Sequence, residues 1–353
     1  MEPIAFADVI RAEFGHTTTY LNTATTGVLP RRSAAAVRAL ADAGQAGTPE
    51  GFGSFETVEA ARAAFARLVG VAPGRVALGA AVSTHVGLIS AALPAGAEVL
   101  LPEGDFSSLI SPFSVRDDLK VRFAPLESLA EAVRPETALV ALSAVQSADG
   151  RTGDLAAVRA AAAAHGARTL IDATHAAGWL PFEAGRYDYT VTAGYKWLLG
   201  GRGASYLTVT EEAQESLVPL FAGWVAGASI WDSTYGPVTE LAPDARRFDA
   251  APPFLPYHAA APSLELLERV GIAAVHAHDT ALAARYRAGL ASLGHEPVPG
   301  DSAIVSVPGV GDRQEALAAA GVYTAARAGS LRASFHLYNT VGDVDRLLDV
   351  LGG

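Results

Sequence analysis

The 353-residue sequence contains no cysteine. Without cysteine, the protein cannot form disulfides, bind a metal through thiolates or use a thiol as a catalytic nucleophile. This absence leaves the redox compartment open, although nothing in the sequence requires an oxidising one. No other set of metal ligands stands out, so we expect no metal centre.

Clusters of positive charge and long apolar runs are also absent. The formal net charge is −11, the isoelectric point is near 5.3, and no basic run occurs, which argues against a nucleic-acid partner. No apolar stretch reaches membrane-spanning length without glycine, proline or charge. The first ten residues lack the basic region and apolar core of a signal peptide. We therefore expect a soluble, cytoplasmic protein with no membrane partner.

Lysine is nearly absent. The sequence contains only Lys120 and Lys196, and arginine fills the other basic positions. Arginine cannot replace lysine where a neutral amine must attack a carbonyl, because a guanidinium does not deprotonate. Lys196 lies in an apolar, glycine-flanked stretch, so we interpret it as a candidate nucleophile. The alternative is an ordinary surface lysine whose stem lies along apolar surface.

Strand and helix patterns alternate between residues 75 and 210, which predicts a parallel sheet covered by helices. One predicted strand, 169–171, ends on Asp172. Another, 187–192, leads directly to Lys196. Charged residues that follow buried strands of one sheet can converge on a single ligand. The length of the chain suggests two domains.

The residues around these strand ends resemble two motifs of the class V aminotransferases. Segment 172–175 (Asp-Ala-Thr-His) is similar to the family's Asp-x-x-Gln, and segment 193–196 (Ala-Gly-Tyr-Lys) is similar to its Ser-x-His-Lys. His175, Ala193 and Tyr195 depart from the motifs. The family consists of fold-type I pyridoxal 5'-phosphate enzymes, among them cysteine desulfurases, isopenicillin-N-epimerase-like proteins and C–S lyases. The resemblance extends from about residue 20 to residue 351.

The resemblance implies an α/β fold of type I. We expect a large cofactor-binding domain at residues 16–245, with a mainly parallel sheet covered by helices. A small C-terminal α+β domain would occupy residues 246–353, and the N-terminal residues 1–15 would join it. Family active sites lie at a dimer interface, and segment 248–256 is apolar and proline-rich. We therefore expect a homodimer.

The resemblance also implies three catalytic residues. Lys196 would hold the cofactor as a Schiff base and then act as the base at the substrate's α-carbon. Asp172 would keep the pyridine nitrogen protonated, and we expect its own pKa to be low because a cation lies beside it. His175 would form a hydrogen bond near the ring oxygen. Because imidazole titrates near neutrality, His175 is also a candidate acid–base group.

A further group of residues is expected to bind the cofactor. The small-residue loop 79–84 enters a helix N-terminus, which favours phosphate, and Ser83 matches the family's hydroxyl ligand there. Phe106 would stack on the pyridine ring, although it could equally be a core residue. Hydroxyls that the family uses are missing at Ala193 and Pro252. The expected cofactor-binding residues are Val82, Ser83, Phe106, Gln146, Ser147, Asp172, His175, Thr192, Tyr195 and Lys196.

The C-terminal run 331–340 resembles the family's Leu-Arg-x-Ser-x-x-x-Tyr-Asn-Thr. The resemblance implies that Arg332 binds the α-carboxylate of an amino-acid substrate, since a guanidinium matches two carboxylate oxygens. A salt bridge on a strand face is the alternative. Arg327 is a second candidate, for a further acidic part of the substrate. A loop near the N-terminus adds weak candidates that could instead be capping residues, namely Asn22, Thr23 and Thr26.

The reaction itself is less determined than the cofactor. Desulfuration through a persulfide on the protein needs a cysteine, and the sequence has none. Elimination of sulfur from the β-carbon needs no thiol. The sequence most resembles the cysteine-free class V enzymes that process S-conjugated cysteines or other amino acids, and this resemblance implies C–S β-elimination from a cysteine S-conjugate. An aminotransferase, or a decarboxylating or epimerising enzyme of specialised metabolism, is the alternative. A non-catalytic regulator that binds pyridoxal phosphate belongs to another class and is opposed by Lys196, Asp172 and Arg332.

Overall fold

The computed structural model describes residues 6–353. Strands and helices alternate through most of this range. The strands are β1 (Thr19–Tyr20), β2 (Val76–Gly79), β3 (Glu98–Pro102), β4 (Lys120–Ala124), β5 (Thr137–Ser143), β6 (Arg168–Asp172), β7 (Tyr189–Ala193), β8 (Ser205–Val209), β9 (Ile304–Val307), β10 (Val322–Tyr323), β11 (Ala325–Arg327) and β12 (Ser330–Ser334). The α-helices are α1 (Phe6–Glu13), α2 (Arg31–Ala46), α3 (Phe55–Leu68), α4 (Val82–Ala92), α5 (Ser107–Ser114), α6 (Leu155–His165), α7 (Glu211–Gln214), α8 (Phe254–Val270), α9 (Ile272–Ser292), α10 (Gln314–Ala319) and α11 (Val341–Gly352).

A seven-stranded sheet forms the centre of the fold, in the order β2-β8-β7-β6-β5-β3-β4. Five neighbouring strands of this sheet are parallel: β4 pairs with β3, β3 with β5, β5 with β6, and β6 with β7. Strand β8 runs antiparallel to both β7 and β2. The predicted α/β architecture with a mainly parallel sheet is therefore confirmed. The edge strand β4 was not predicted.

Both faces of the central sheet are buried. Along β5, Leu139 and Ala141 belong to one hydrophobic cluster, whereas Val140 and Leu142 belong to the other. Successive side chains of a strand point to opposite faces, so both faces lie against apolar layers. This explains why the inner strands read as continuous hydrophobic runs.

Helix boundaries follow local signals where these are strong. The side chain of Asp154 accepts a hydrogen bond from the Ala157 N–H at the start of α6, and Gly166 ends that helix with a left-handed backbone (φ 71°). The pattern of the sequence predicts a helix at 262–270, and the helix in the structure is longer. Helix α8 starts at Phe254, contains Pro262 in its interior and packs against α2 and α3.

A second, smaller sheet presents the C-terminal motif. Strands β11, β12 and β9 form an antiparallel sheet in that order. Strands β11 and β12 are joined by Ala328 and Gly329, both with positive φ (46° and 78°), as a two-residue type I′ hairpin requires. Arg332 lies in β12, opposite Ser306 of β9.

The N-terminal segment lies against this part of the chain. Strand β1 pairs with β10 in parallel, and Asn22 forms a bridge with Ser334. Residues 1–5 of the predicted N-terminal segment lie outside the described residues. We retain the division into residues 16–245 and 246–353 as a proposal, with α8 packed against helices of the first part. Among residues 6–353, no helix is both long and apolar enough to cross a membrane.

Candidate active site

A cavity of about 280 Å³ opens at the carboxyl ends of β6 and β7. Neighbouring parallel strands end at the same edge of a sheet, which brings Asp172 and Lys196 to this place. Residues from several loops complete the wall. The lining residues are Ala80, Ala81, Val82, Phe106, Ser108, Asp172, Thr174, His175, Ala193, Tyr195, Lys196 and Arg202.

The amine of Lys196 is buried and lies 2.8 Å from Nε2 of His175. Burial lowers the pKa of Lys196 to about 7, although Asp172 opposes this change. The guanidinium groups of Arg332, Arg202 and Arg327 lower the pKa further. At neutral pH, a large share of this amine is therefore unprotonated, which is the form that can attack a carbonyl or accept a proton.

His175 is also fully enclosed. Its Nε2 lies 3.3 Å from the backbone oxygen of Ala24, in addition to its contact with Lys196. Burial, followed by the charges of Lys196 and Arg332, holds the pKa of His175 well below 6.5. The expectation that this imidazole titrates near neutrality is therefore wrong, because a buried ring beside cations stays neutral.

Asp172 differs from the prediction in the same way. Its carboxylate accepts a hydrogen bond of 2.8 Å from the Thr174 N–H. Burial raises its pKa to about 6, while Thr174 and Lys196 act in the opposite direction. The prediction of a low pKa for Asp172 is wrong, because the loss of solvation outweighs the neighbouring positive charge. Asp172 is still mostly ionised at pH 7.

Phe106 forms the aromatic wall. It is 44% exposed, and Nζ of Lys196 lies 5.4 Å from the centre of its ring. The preceding Asp105 accepts hydrogen bonds from the Phe106 N–H at 2.6 Å, the Ser143 N–H at 2.8 Å and Nε2 of Gln146 at 3.1 Å. The exposed ring of Phe106 fits the predicted stacking role. The amide of Gln146 is engaged by Asp105.

The residues predicted to bind the phosphate lie in different environments. Val82 lines the cavity at the start of α4, and Ser83 follows it as an exposed residue. Tyr195 also lines the cavity, and Cζ of Arg202 lies 4.1 Å from the centre of its ring. Thr192 is fully buried in β7, and its hydroxyl has no hydrogen-bond partner within residues 6–353.

Arg332 is buried next to the N-terminal loop. Its Nη1 donates to the backbone oxygen of Ser147 and, at 3.2 Å, to the Ser147 hydroxyl. Its Nη2 donates to the hydroxyl of Thr25 at 3.0 Å, and Nη2 of Arg327 donates to the same hydroxyl at 3.3 Å. Burial and then Arg327 lower the pKa of Arg332 to about 10, so Arg332 remains charged at neutral pH.

The three weak candidates of the N-terminal loop have different environments. The hydroxyl of Thr23 lies 2.5 Å from the hydroxyl of Tyr338 and is enclosed. The hydroxyl of Thr26 donates to the backbone oxygen of Tyr195 at 3.3 Å. The Oδ1 atom of Asn22 is buried without a hydrogen-bond partner in the described chain. Of the three, Asn22 is thus the residue with an unused polar atom.

Several site residues were not predicted. Thr25 joins Arg327 to Arg332, while Thr174, Ser108 and Arg202 line the cavity. Thr25 stands between two singled-out residues of the same loop, which was an available signal. Arg202 stands between two glycines six positions after the lysine, and no sequence signal separates it from other surface arginines.

A family model described as aminotransferase class-V matches residues 50–310. The chain belongs to the class-V aminotransferase family. An uncharacterized aminotransferase of Bacillus subtilis (strain 168) is 28% identical over 237 residues, covering 64% of this chain and 62% of that protein. A kynureninase of Deinococcus radiodurans is 31% identical over 203 residues, covering 54% of this chain and 48% of that protein. The chain thus spans about half to three fifths of these relatives.

Solved structures extend the likeness to nearly the whole fold. The complex of a cystine C–S lyase with its product cysteine persulfide has a TM-score of 0.84 and 24% sequence identity, covering 95% of this chain and 97% of that chain. At this identity, the likeness shows the fold alone. The predicted family and the predicted type I fold are both confirmed.

Class-V aminotransferases are pyridoxal 5'-phosphate enzymes, so the family match confirms the predicted enzyme class and cofactor. The cavity has the chemistry that this cofactor requires. It offers a lysine amine, a carboxylate at a strand end, an aromatic face and a helix N-terminus. The role of each individual residue remains a prediction.

Proposed function

We propose that this protein is a pyridoxal-phosphate-dependent lyase that eliminates the sulfur substituent of a cysteine S-conjugate. The observation that carries the proposal is the buried amine of Lys196, whose pKa is lowered to about 7 in a cavity shared with Asp172. Such an amine combines a nucleophile and a base in one group. When bound, the cofactor supplies a carbonyl carbon that condenses with amines and a ring that withdraws electrons from the α-carbon.

Lys196 accepts the α-proton of the substrate in this proposal. His175 supports that role as a neutral ring within hydrogen-bonding distance of the amine. Depending on the His175 tautomer, Nε2 accepts a hydrogen bond from the ammonium or donates one to the neutral amine. Asp172 supplies negative charge that keeps a proton on the ring nitrogen of the cofactor.

Arg332 binds the α-carboxylate of the substrate. Its side chain is held by Ser147 and Thr25, which fixes the guanidinium plane before substrate arrives. Its Nε atom has no hydrogen-bond partner among the described residues and remains available as a donor. Arg327 is more exposed, so it suits a further acidic group at the edge of the site.

The elimination step balances without a thiol on the protein. The α C–H bond breaks and its proton moves to Lys196. The C–S bond then breaks with its electron pair on sulfur, and a double bond forms between the α- and β-carbons. The released 2-aminoacrylate hydrolyses to pyruvate and ammonia. Because the sequence has no cysteine, the departing sulfur stays with its substituent.

Product analysis over a panel of cysteine S-conjugates tests this function. The holoenzyme should release pyruvate, ammonia and the free thiol in equal amounts when no keto acid is present. Lys196→Ala protein with added cofactor serves as the matched control and should release none. A holoenzyme that binds cofactor yet releases no pyruvate from any conjugate would contradict the lyase assignment.

An aminotransferase is the second candidate, favoured by the relative of that description in Bacillus subtilis. It requires the same lysine and the same carboxylate-binding arginine. Amine exchange that depends on a keto acid, without pyruvate release, would identify it in the same assay. Carbon dioxide release or loss of optical activity would instead indicate decarboxylation or epimerisation. A regulator that only binds cofactor would show no product and no spectral response to amino acids.

We further propose that the protein is a cytoplasmic homodimer, joined through the apolar region around segment 248–256. Trp231 and Tyr235 are 72% and 92% exposed, and Phe55 packs edge-on against Trp224, Trp231 and Phe254. Exposed aromatic residues of this kind are typical of protein interfaces. Sedimentation should show a dimer. We expect the dimer interface to exceed about 2,000 Å². A monomer at micromolar concentration that holds cofactor would contradict it.

A further inference from the structure

We propose that Arg202 binds the phosphate of the cofactor. This inference depends on the proposed function, because it assigns a residue to the anionic end of the same ligand. Four residues of the wall around that end carry no side-chain donor. Ala80, Ala81, Val82 and Ala193 contribute no hydroxyl or charged group to the cavity.

The helix N-terminus at this wall has no side-chain cap from residues 6–353. Helix α4 begins after Ala81, and no side chain forms a capping hydrogen bond there. The first N–H groups of a helix and the positive end of its dipole attract an anion. A phosphate carries up to two negative charges, which a helix end with about half a charge balances only in part. A cation beside α4 would balance the remaining charge.

Arg202 is that cation. It lines the same cavity as Ala80, Ala81 and Val82, and its guanidinium carbon lies 4.1 Å from the centre of the Tyr195 ring. Stacking on an aromatic face holds the guanidinium plane while leaving its N–H edge free for an anion. No carboxylate forms an ion pair with Arg202 anywhere in residues 6–353. Its charge also reaches Lys196, whose pKa it helps to lower.

The other cations of the site are engaged elsewhere. Arg332 and Arg327 both donate to Thr25, and Arg332 also donates to Ser147. Neither belongs to the residues that line the cavity beside α4. Two separate anions can therefore be distinguished by position, with phosphate beside α4 and Arg202, and carboxylate beside Thr25.

Cofactor affinity with and without the phosphate group tests the assignment. Dissociation constants for pyridoxal phosphate and for pyridoxal are measured by absorbance on wild type, Arg202→Gln and Arg202→Lys. Arg202→Gln should weaken binding of pyridoxal phosphate by about tenfold or more, the usual range for loss of a charged hydrogen bond. Pyridoxal binding should not change. Arg202→Lys should recover part of the loss, because it keeps the charge but not the fork.

Arg327→Gln is the matched control, since it also removes a cation near Lys196 but on the side of Thr25. It should leave the preference for pyridoxal phosphate over pyridoxal intact. Equal weakening of both ligands by Arg202→Gln would show that Arg202 only supports Tyr195 and would overturn the proposal. Unchanged cofactor affinity with a raised KM for substrate would also overturn it, in favour of a substrate contact.

Failure of the proposed function would look different. Wild-type protein that binds neither pyridoxal phosphate nor pyridoxal would contradict the function and this assignment together. Wild-type protein that prefers pyridoxal phosphate, with an unchanged preference in Arg202→Gln, would contradict the assignment alone. The ³¹P resonance of the bound cofactor gives a readout independent of activity. It should stay at the dianion position over a wider pH range in wild type than in Arg202→Gln.

Discussion

Two buried groupings of a carboxyl and an imidazole are found in this protein, and both contact Trp197. His175, which lines the cavity, packs edge-on against Trp197, with ring centres 5.7 Å apart. His336 lies on the enclosed side and donates from Nε2 to the backbone oxygen of Trp197 at 2.9 Å. Its Nδ1 is 3.4 Å from a carboxylate oxygen of Asp279. We name Asp279 and His336 the closed pair.

The closed pair and the cavity differ in what surrounds the carboxyl group. Asp172 accepts a backbone hydrogen bond and faces Lys196, and its pKa rises to about 6. Neither oxygen of Asp279 has a hydrogen-bond partner within the described chain, and burial raises its pKa well above the usual value. Burial lowers the pKa of His336 to about 3. Both shifts favour the uncharged forms of the closed pair. A shifted pKa indicates a functional site here only where a cavity and a cation accompany it.

The largest expected effect on activity comes from substitution of Lys196. Lys196→Arg keeps a positive charge but removes the group that can lose its proton, so kcat should fall by about a thousandfold or more. Borohydride reduction of the wild-type holoenzyme followed by peptide mapping should label Lys196. The exposed Lys120 on β4 is an internal control. Label on Lys120, or none on protein with bound cofactor, would refute the assignment.

The next largest effect is expected from replacing aspartate by asparagine in the cavity, and the same replacement in the closed pair is its control. Asp172→Asn removes a charge that faces the cavity, and kcat should fall by at least about a hundredfold. Asp279→Asn changes a carboxyl that does not line the cavity and whose burial favours its uncharged form, so kcat and KM should stay nearly unchanged. Steady-state kinetics of both variants at pH 7 provide the measurement. Similar losses in both would show that the closed pair takes part in catalysis.

Loss of Arg332, the cation proposed to bind the substrate carboxylate, should have a smaller effect than loss of Lys196. Arg332→Ala should lower kcat/KM by at least about tenfold, since a charged bidentate contact contributes about 1.5–3 kcal/mol. The absorbance of the bound cofactor should not change. Arg332→Lys should recover little, because it lacks the fork of donors.

The exposed Arg327 is the matched control for this test, and Arg327→Ala should cost less than Arg332→Ala. Amino-acid amides, which lack the carboxylate, should lose little further on Arg332→Ala. If Arg332→Ala loses its cofactor, or turns over the carboxylate substrate normally, Arg327 becomes the better candidate for the carboxylate.

The sequence predicted which charged residues come together where those residues follow a buried strand. Asp172 and Lys196 could be placed together because parallel strands end at one edge of a sheet. Thr25 could not be placed beside Arg327 and Arg332, since 302 and 307 residues separate them in the chain. Such contacts arise from the packing of β1 and the N-terminal loop against the C-terminal strands. Local periodicity carries no information on them.

Two further differences have local physical reasons. Strand β4 lies at the edge of the sheet, and four of its five residues are exposed or half-buried, which leaves only a weak hydrophobic pattern. Helix α8 continues through Pro262, although proline most often marks the first turn of a helix. The pKa of Asp172 was mispredicted for another reason, because the depth of burial is a property of the folded chain.

The smallest expected effect is on stability as a function of pH, and it concerns the closed pair. The pKa of Asp279 is raised on folding, so its contribution to stability is fully present below about pH 3.8 and is lost as pH rises towards the folded pKa. The pKa of His336 is lowered to about 3 on folding. Its contribution is fully present above about pH 6.5 and is lost as pH falls below that value.

These two contributions change in opposite directions with pH, so they offset each other in the wild type above about pH 4. Asp279→Asn removes the contribution of Asp279 and leaves that of His336, so the free energy of unfolding should fall relative to wild type as pH falls, by up to about 1.4 kcal/mol per pH unit. His336→Gln should show the opposite slope and lose stability as pH rises. Urea denaturation at several pH values in this range measures both. If neither variant departs from the wild-type slope, both groups titrate in the folded protein as they do in the unfolded chain, and the pair is open to water.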